Sequence, residues 1–280
     1  MAKNAKIKAT VKTPLLNEML DYGVYVFSFG ESLFIRLIGL LAGGMVGLIF
    51  YGGLFKVDGE ATTATTVSNF VFFTVAGLLA IKFIVPVYRR YKLDKRKDVL
   101  AFQFRDMLEI LSVSLSSGSN IYDAFVNALG DLMIQYEETD YIVKEIQQII
   151  DGTMQNISIE AMLYDFGKRS HNEDIQNFAN VFEICYRKGG NMQLVILRTH
   201  EVISEKASIT DEIKTKLTSN RMQLNVLSIM PIGIVGLFKI SNPSMAMNFV
   251  TPMGVFVNTI AIAIFIGAYK YGQKIIDIKG

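Results

Sequence analysis

Apolar positions follow two different patterns along this chain. In four stretches they run on almost unbroken, and between the second and third stretch they recur every three or four residues. No charged residue occurs from Leu37 to Phe55, from Met222 to Phe238, or from Ile240 to Tyr269, and Asn69 to Tyr88 carries only Lys82. A helix needs roughly 20 apolar residues to cross about 30 Å of hydrocarbon. The unbroken runs therefore predict four transmembrane helices in two pairs that flank a long polar middle.

In that middle the period is helical. Phe104, Met107, Leu108, Leu111 and Leu115 fall at i, i+3, i+4, i+7 and i+11. Gly118 ends this helix, and Asn120 caps the next, "IYDAFVNALGDL". A third helix is expected from Asp140 to just before Gly152, and a fourth after Ser158. Asn172 caps a fifth, with Glu173 and Asp174 suited to its first turn. The sixth begins after Asn191. Its stripe runs through Met192, Ile196, Ile203, Ile209 and Ile213, with no Pro or Gly between Gly190 and Pro231. It is expected to continue into the third span as a stiff lever.

"SGSN" at 117–120 and "KGGN" at 188–191 match at an offset of 71 residues. The match predicts two pseudo-repeated helical hairpins, one turning on Gly118 and Asn120, the other on Gly189 and Asn191. A phosphate-binding loop is the alternative at 188–191, but the Gly-x4-Gly-Lys-Ser/Thr spacing and a preceding strand are lacking. The predicted fold is an all-α membrane protein: a cytoplasmic six-helix bundle, made of the two hairpins plus linking helices, with four transmembrane helices. The segments are 1–30, an N-terminal cytoplasmic stretch; 31–90, the first transmembrane hairpin; 98–221, the helical domain; 222–271, the second hairpin; and 272–280, a tail.

Charge sets the expected orientation, because Lys and Arg stay on the cytoplasmic side. Lys3, Lys6, Lys8 and Lys12 precede the first span, six basic residues lie between Arg89 and Lys97, and Lys270, Lys274 and Lys279 follow the last. The segment between the first two spans has Lys56 against Asp58 and Glu60, and the one between the last two has no charge. Both termini and the middle domain are thus expected in the cytoplasm of a multi-pass protein of the cytoplasmic (inner) membrane. No short apolar core with a cleavage site follows the lysine-rich start, so no signal peptide is expected. Residues 99–221 hold 18 acidic and 11 basic side chains, a net of −7, while the rest of the chain carries +9. The basic part suits membrane lipids with anionic headgroups. The acidic part argues against nucleic acid, whose phosphates demand positive charge, and suits a basic protein partner.

The segments "LSVSLSSGSNIYDAFVNAL" and "GGNMQLVILRTHEVISEKASITDEIKTKLTSNRMQLNVLSIMPI" carry a likeness. Residues 98–235, together with the two-plus-two spans, resemble the type II secretion F domain family. With one such domain, the chain is similar to the single-domain TadB- and TadC-type platform proteins of Tad/Flp pilus assembly, the TadB type more than the TadC. The resemblance implies a non-enzymatic platform that works with a hexameric secretion ATPase, a second F-domain platform protein and pilin subunits, as a homo- or hetero-oligomer. It implies no catalytic, metal or cofactor residue and no cofactor. A small membrane transporter and a passive membrane anchor with a cytoplasmic regulatory domain are the rival classes. The spans carry no acidic residue, which weighs against proton-coupled transport.

Three sets of residues stand out. Asp131, Glu137, Glu138 and Asp140, with Glu201 and Glu205 of the sixth helix, form a candidate docking surface for the ATPase, or else an ordinary solvated face. Gly39, Gly43 and Gly47 make two GxxxG steps, a candidate packing face within the membrane. Pro231 is expected to kink the third span. Arg36, Lys82 and Lys239 lie at span margins and are expected to snorkel. His171 and His200, with no metal-like spacing around them, are expected at the surface or in caps. Cys185, the one cysteine, excludes an intrachain disulfide.

Overall fold

A computed structural model of the chain describes residues 10–15, 17–56 and 60–276. Lys3, Lys6, Lys8, Asp58 and Lys279, which entered the charge argument, lie outside the described residues. The protein is nearly all α. Its helices are α1 (Phe29–Tyr51), α2 (Thr63–Ser116), α3 (Ile121–Gln135), α4 (Tyr141–Met154), α5 (Ile159–Ser170), α6 (Glu173–Lys188), α7 (Met192–Ser241), α8 (Pro243–Phe249) and α9 (Pro252–Ile276). Among the described residues a short hairpin stands beside the helices. Strands β1 (Thr10–Lys12) and β2 (Glu18–Leu20) pair antiparallel, with Val11 opposite Met19. Two compact units result, Met1–Phe29 with Arg89–Ser208, and Gly30–Tyr88 with Ile209–Gly280.

The first unit is built on one apolar core. Leu100, Phe104, Met107 and Leu111 of α2 meet Phe125 and Leu132 of α3, Ile142 and Ile146 of α4, Phe166 of α5, Phe178 and Phe182 of α6, and Ile196 of α7. The Phe104 ring lies 5.4 Å from Phe178, edge on, and 6.2 Å from Phe166. Burying each such side chain contributes roughly 1.5–3 kcal/mol.

The 71-residue offset recurs in the geometry. Gly118 and Gly189 are both left-handed, with φ +92° and +70°. Ser119 N–H donates to Ser114 O at 3.3 Å, and Gly190 N–H to Cys185 O at 2.8 Å, closing each helix with the same bond. Asn120 Oδ1 accepts from Asp123 N–H at 2.9 Å, and Asn191 Oδ1 from Leu194 N–H at 3.0 Å. The buried positions coincide too: Phe104 with Ile175, Met107 with Phe178, Leu111 with Phe182, Phe125 with Ile196, and Leu132 with Ile203.

Four details depart from the sequence reading. The basic stretch Arg89–Lys97 is helical, part of the 54-residue α2, because nothing between Pro86 and Gly118 breaks a helix. Helix α4 runs through Gly152 to Met154. A Cβ at Gly152 would sit 2.8 Å from the Met162 sulfur, so this glycine makes room for a neighbour, and the turn comes later, where Asn156 has φ +62°. The buried stripe of α7 stops at Ile203, and Ile209 and Ile213 are exposed. The segment between the last two spans holds the short helix α8.

In the second unit, α1, α2, α7 and α9 each hold a stretch long and apolar enough to cross a membrane, which marks the chain as a membrane protein. The 23 residues of α1 reach about 34 Å. None of the residues in the most apolar stretch of α7 is buried, so its side chains can meet lipid. Helix α7 continues through Pro231.

Candidate functional site

The six candidate docking residues fall on helix α3, on the turn that follows it and on helix α7. Asp131 lies within α3, four residues before its last residue, and Glu137, Glu138 and Asp140 occupy the turn into α4. Asp140 is the α4 N-cap residue, and its carboxylate accepts from Glu137 N–H at 3.0 Å, so it shapes the turn. Asp131, Glu137 and Glu138 are exposed. Glu201 and Glu205 lie one turn apart on the outer face of α7. Glu201 is engaged by Arg198 at 2.9 Å.

Gly39, Gly43 and Gly47 of α1 face α2. A Cβ on Gly39 would lie 3.2 Å from Ile81 Cγ1, one on Gly43 2.8 Å from Ala76 O, and one on Gly47 2.8 Å from Phe72 O. Small residues let the two backbones approach this closely, and dispersion then holds them where water cannot drive them together. At the end of α1 a polar cluster forms. Lys239 Nζ of α7 donates to Gly52 O at 3.1 Å and to Phe50 O at 3.4 Å, and Asn258 Nδ2 of α9 donates to Phe50 O at 3.0 Å. Lys239 therefore caps the carbonyl end of α1, where its charge also meets the negative end of the helix dipole, instead of snorkelling. Arg36 and Lys82 are exposed.

Among the described residues of the first unit, the most heavily connected polar site is one that no motif in the sequence announces. Ahead of the first span, Thr13, Asn17, Leu20 and Tyr22 meet side chains of α4 and α5, and Asp21 meets the residue that ends α5. Tyr22 is 1 % exposed, its ring edge-on to Tyr141 at 5.4 Å and its hydroxyl donating to Glu145 Oε1 at 2.9 Å. Arg169 grips the same carboxylate with both guanidinium nitrogens, at 2.7 and 2.6 Å, and donates from Nε to Asp165 at 2.7 Å. It also donates to Leu20 O at 3.2 Å. Gln148 Nε2 donates to Thr13 Oγ1 and to Asn17 Oδ1, each at 2.8 Å, and Asn17 Nδ2 returns a bond to Gln148 Oε1. His171 Nε2 meets Asp21 Oδ1 at 2.8 Å, on a left-handed residue that ends α5, while His200 Nδ1 lies 3.3 Å from Arg105 O. Beyond Tyr22, Arg96 donates to Val24 O at 3.0 Å and stacks on Tyr25, and Arg89 stacks on Phe27. Burial, then the Glu145 charge, pushes the Tyr22 hydroxyl well above the ordinary tyrosine range. A signal existed: Glu145 and Arg169 sit at core spacing, Glu145 three residues after Ile142 and Arg169 three after Phe166.

No protein-family model, no curated protein and no solved structure matches the chain.

Proposed function

We propose that the chain is an inner-membrane platform protein of a type II secretion or Tad/Flp pilus assembly machine. In this reading the acidic helical unit is cytoplasmic and docks a hexameric secretion ATPase. The membrane helices pass the resulting motion to pilin subunits as they leave the bilayer, beside a second platform protein, and no active-site chemistry is required of the chain itself. One observation carries the reading: an acidic helical unit is inserted between two pairs of apolar helices, with six basic residues from Arg89 to Lys97 at the junction. Charge of this kind sets encounter rate and orientation more than affinity.

The test has two arms. Single cysteines at Glu138 and at Thr251, introduced after replacing Cys185, are labelled with a membrane-impermeant maleimide in intact cells. The reading expects labelling at Thr251 only. Pull-down of a hexameric secretion ATPase from the same cells is then compared for the wild type and for Glu137→Lys/Glu138→Lys at low salt. The double variant is expected to bind more weakly. Labelling of Glu138 from outside overturns the platform reading, and unchanged ATPase binding removes the α3–α4 turn from it.

A further inference from the structure

The segment before the first span docks on α4 and α5 as a separate peptide would. It brings one aromatic anchor, Tyr22, into a seat made by Tyr141, Glu145 and Arg169. Around the anchor lies a polar rim: Thr13 and Asn17 on Gln148, and Asp21 on His171. Two backbone groups complete it, Tyr22 N–H donating to Arg169 O at 2.9 Å and Leu20 O accepting from Arg169. A buried aromatic anchor within a polar rim is the anatomy of an interface between two molecules. The β1–β2 hairpin keeps its ladder within the segment itself and adds no strand to the helices.

The seat does not depend on the segment for its charges. Glu145 is 0 % exposed, yet both of its oxygens are held by Arg169, and Arg169 is held in turn by Asp165. Removing residues 10–22 leaves every one of these ionised groups paired. A core element that supplied the counter-charge could not leave without stranding a buried ion. This one can.

We propose that residues 10–22 are a detachable strap, and that the seam of α4 and α5 beneath it is a peptide-docking site held closed in cis. The occupant it accepts is an extended segment with a tyrosine hydroxyl to reach Glu145 and a side-chain amide to pair with Gln148. Release of the strap opens the site and frees the chain ahead of Phe29 as far as Val24, where Arg96 holds it. The inference stands on the first unit alone and does not rest on the pilus reading.

The test uses the full chain in detergent micelles and a fluorescent peptide of residues 10–25. Tyr22→Ala loosens the strap in the protein while the peptide keeps its tyrosine. Binding is read by anisotropy and protection by hydrogen exchange. The peptide is expected to bind the variant about tenfold more tightly than the wild type, whose tethered strap competes at high effective concentration. Amides of residues 10–22 exchange faster in the variant, while α4 and α5 stay protected. If Tyr22→Ala does not fold, Thr13→Ala/Asn17→Ala loosens the rim alone and is read the same way. Equal binding to variant and wild type, binding to neither, or loss of α4 and α5 protection along with the strap overturns the proposal.

Discussion

Arg169 and Glu145 meet fork to fork, Nη1 to Oε1 at 2.7 Å and Nη2 to Oε2 at 2.6 Å, with 4 % and 1 % of their side chains left exposed. Burial alone would lower the guanidinium pKa. The hydrogen bonds and charge of Glu145, followed by Asp165, reverse that and raise it above the ordinary arginine value. The guanidinium thus stays charged although its side chain is almost fully buried. It ties the middle of α4 to the end of α5 and offers the surface on which residues 10–22 settle.

Breaking the pair from one side leaves a buried charge alone, which costs about 3–5 kcal/mol. Arg169→Ala is expected to lose that much, and Glu145→Ala a similar amount. Glu145→Leu/Arg169→Met removes both charges and fills the volume, so it recovers most of the loss. Denaturant unfolding followed by circular dichroism checks this. A double variant no better than Arg169→Ala would show that the pair's value lies outside the pairing.

Two tyrosines link the same unit to alkaline pH. Burial, then Glu145, raises Tyr22, and burial, then a hydrogen bond to Asp106, raises Tyr136. A folded-state pKa above the unfolded value of about 10 favours folding below that pH, and the contribution fades as pH rises past it, because the unfolded chain ionises first. Stability of the first unit is expected to be flat from pH 7 to 9 and to fall above 10. Tyrosinate absorbance at alkaline pH should show Tyr22 and Tyr136 ionising only with unfolding. Ionisation of all 12 tyrosines with the helix signal intact would contradict it.

How much of this was legible depends on how local the determinants are. The corner at Gly189 and Asn191 needs only its own few residues, and its match with Gly118 and Asn120 stands in the text of the sequence. The four apolar runs declare themselves by length. The strap does not: its strands are three residues each, and its bonds reach from Tyr22 to Glu145 and from Asn17 to Gln148. No periodicity in residues 10–28 shows where they dock. Gly152 shows the opposite failure. As a residue type it reads as a stop, but its role is set by Met162, which only the packing of α5 on α4 supplies. Lys239 likewise follows the snorkelling rule by position and departs from it because Phe50 and Gly52 expose carbonyls within its reach.

Gly118 and Gly130 give opposite outcomes for the same substitution. A Cβ at either meets nothing within 4 Å, so crowding is not the issue. Gly118 has φ +92°, where an L-residue is strained, whereas Gly130 lies inside α3. Gly118→Ala is expected to destabilise by about 1 kcal/mol, and Gly130→Ala to stabilise by about 0.5–1 kcal/mol through helix propensity. Paired urea melts decide it, and a Gly118→Ala protein as stable as wild type would show that the corner relaxes without its left-handed residue.

Within the membrane helices the controlling quantity is space. A Cβ on Gly47 would lie 2.7 Å from Ala76 Cβ and 2.8 Å from Phe72 O, and one on Gly77 would lie 2.8 Å from Leu40 O. The carbonyl oxygens belong to helices and cannot swing aside, so α1 and α2 must separate. Separation forfeits the dispersion contacts that hold helices together in lipid, where apolar burial drives nothing. Gly47→Ala is expected to cost about 1–3 kcal/mol, the range for overpacking a close contact. Gly267 on α9 meets nothing within 4 Å, and Gly267→Ala is expected to be neutral or slightly stabilising. Unfolding in mixed micelles at increasing dodecyl sulfate, followed by circular dichroism, separates the two. Equal midpoints for Gly47→Ala and Gly267→Ala would mean that α1 and α2 do not depend on this contact.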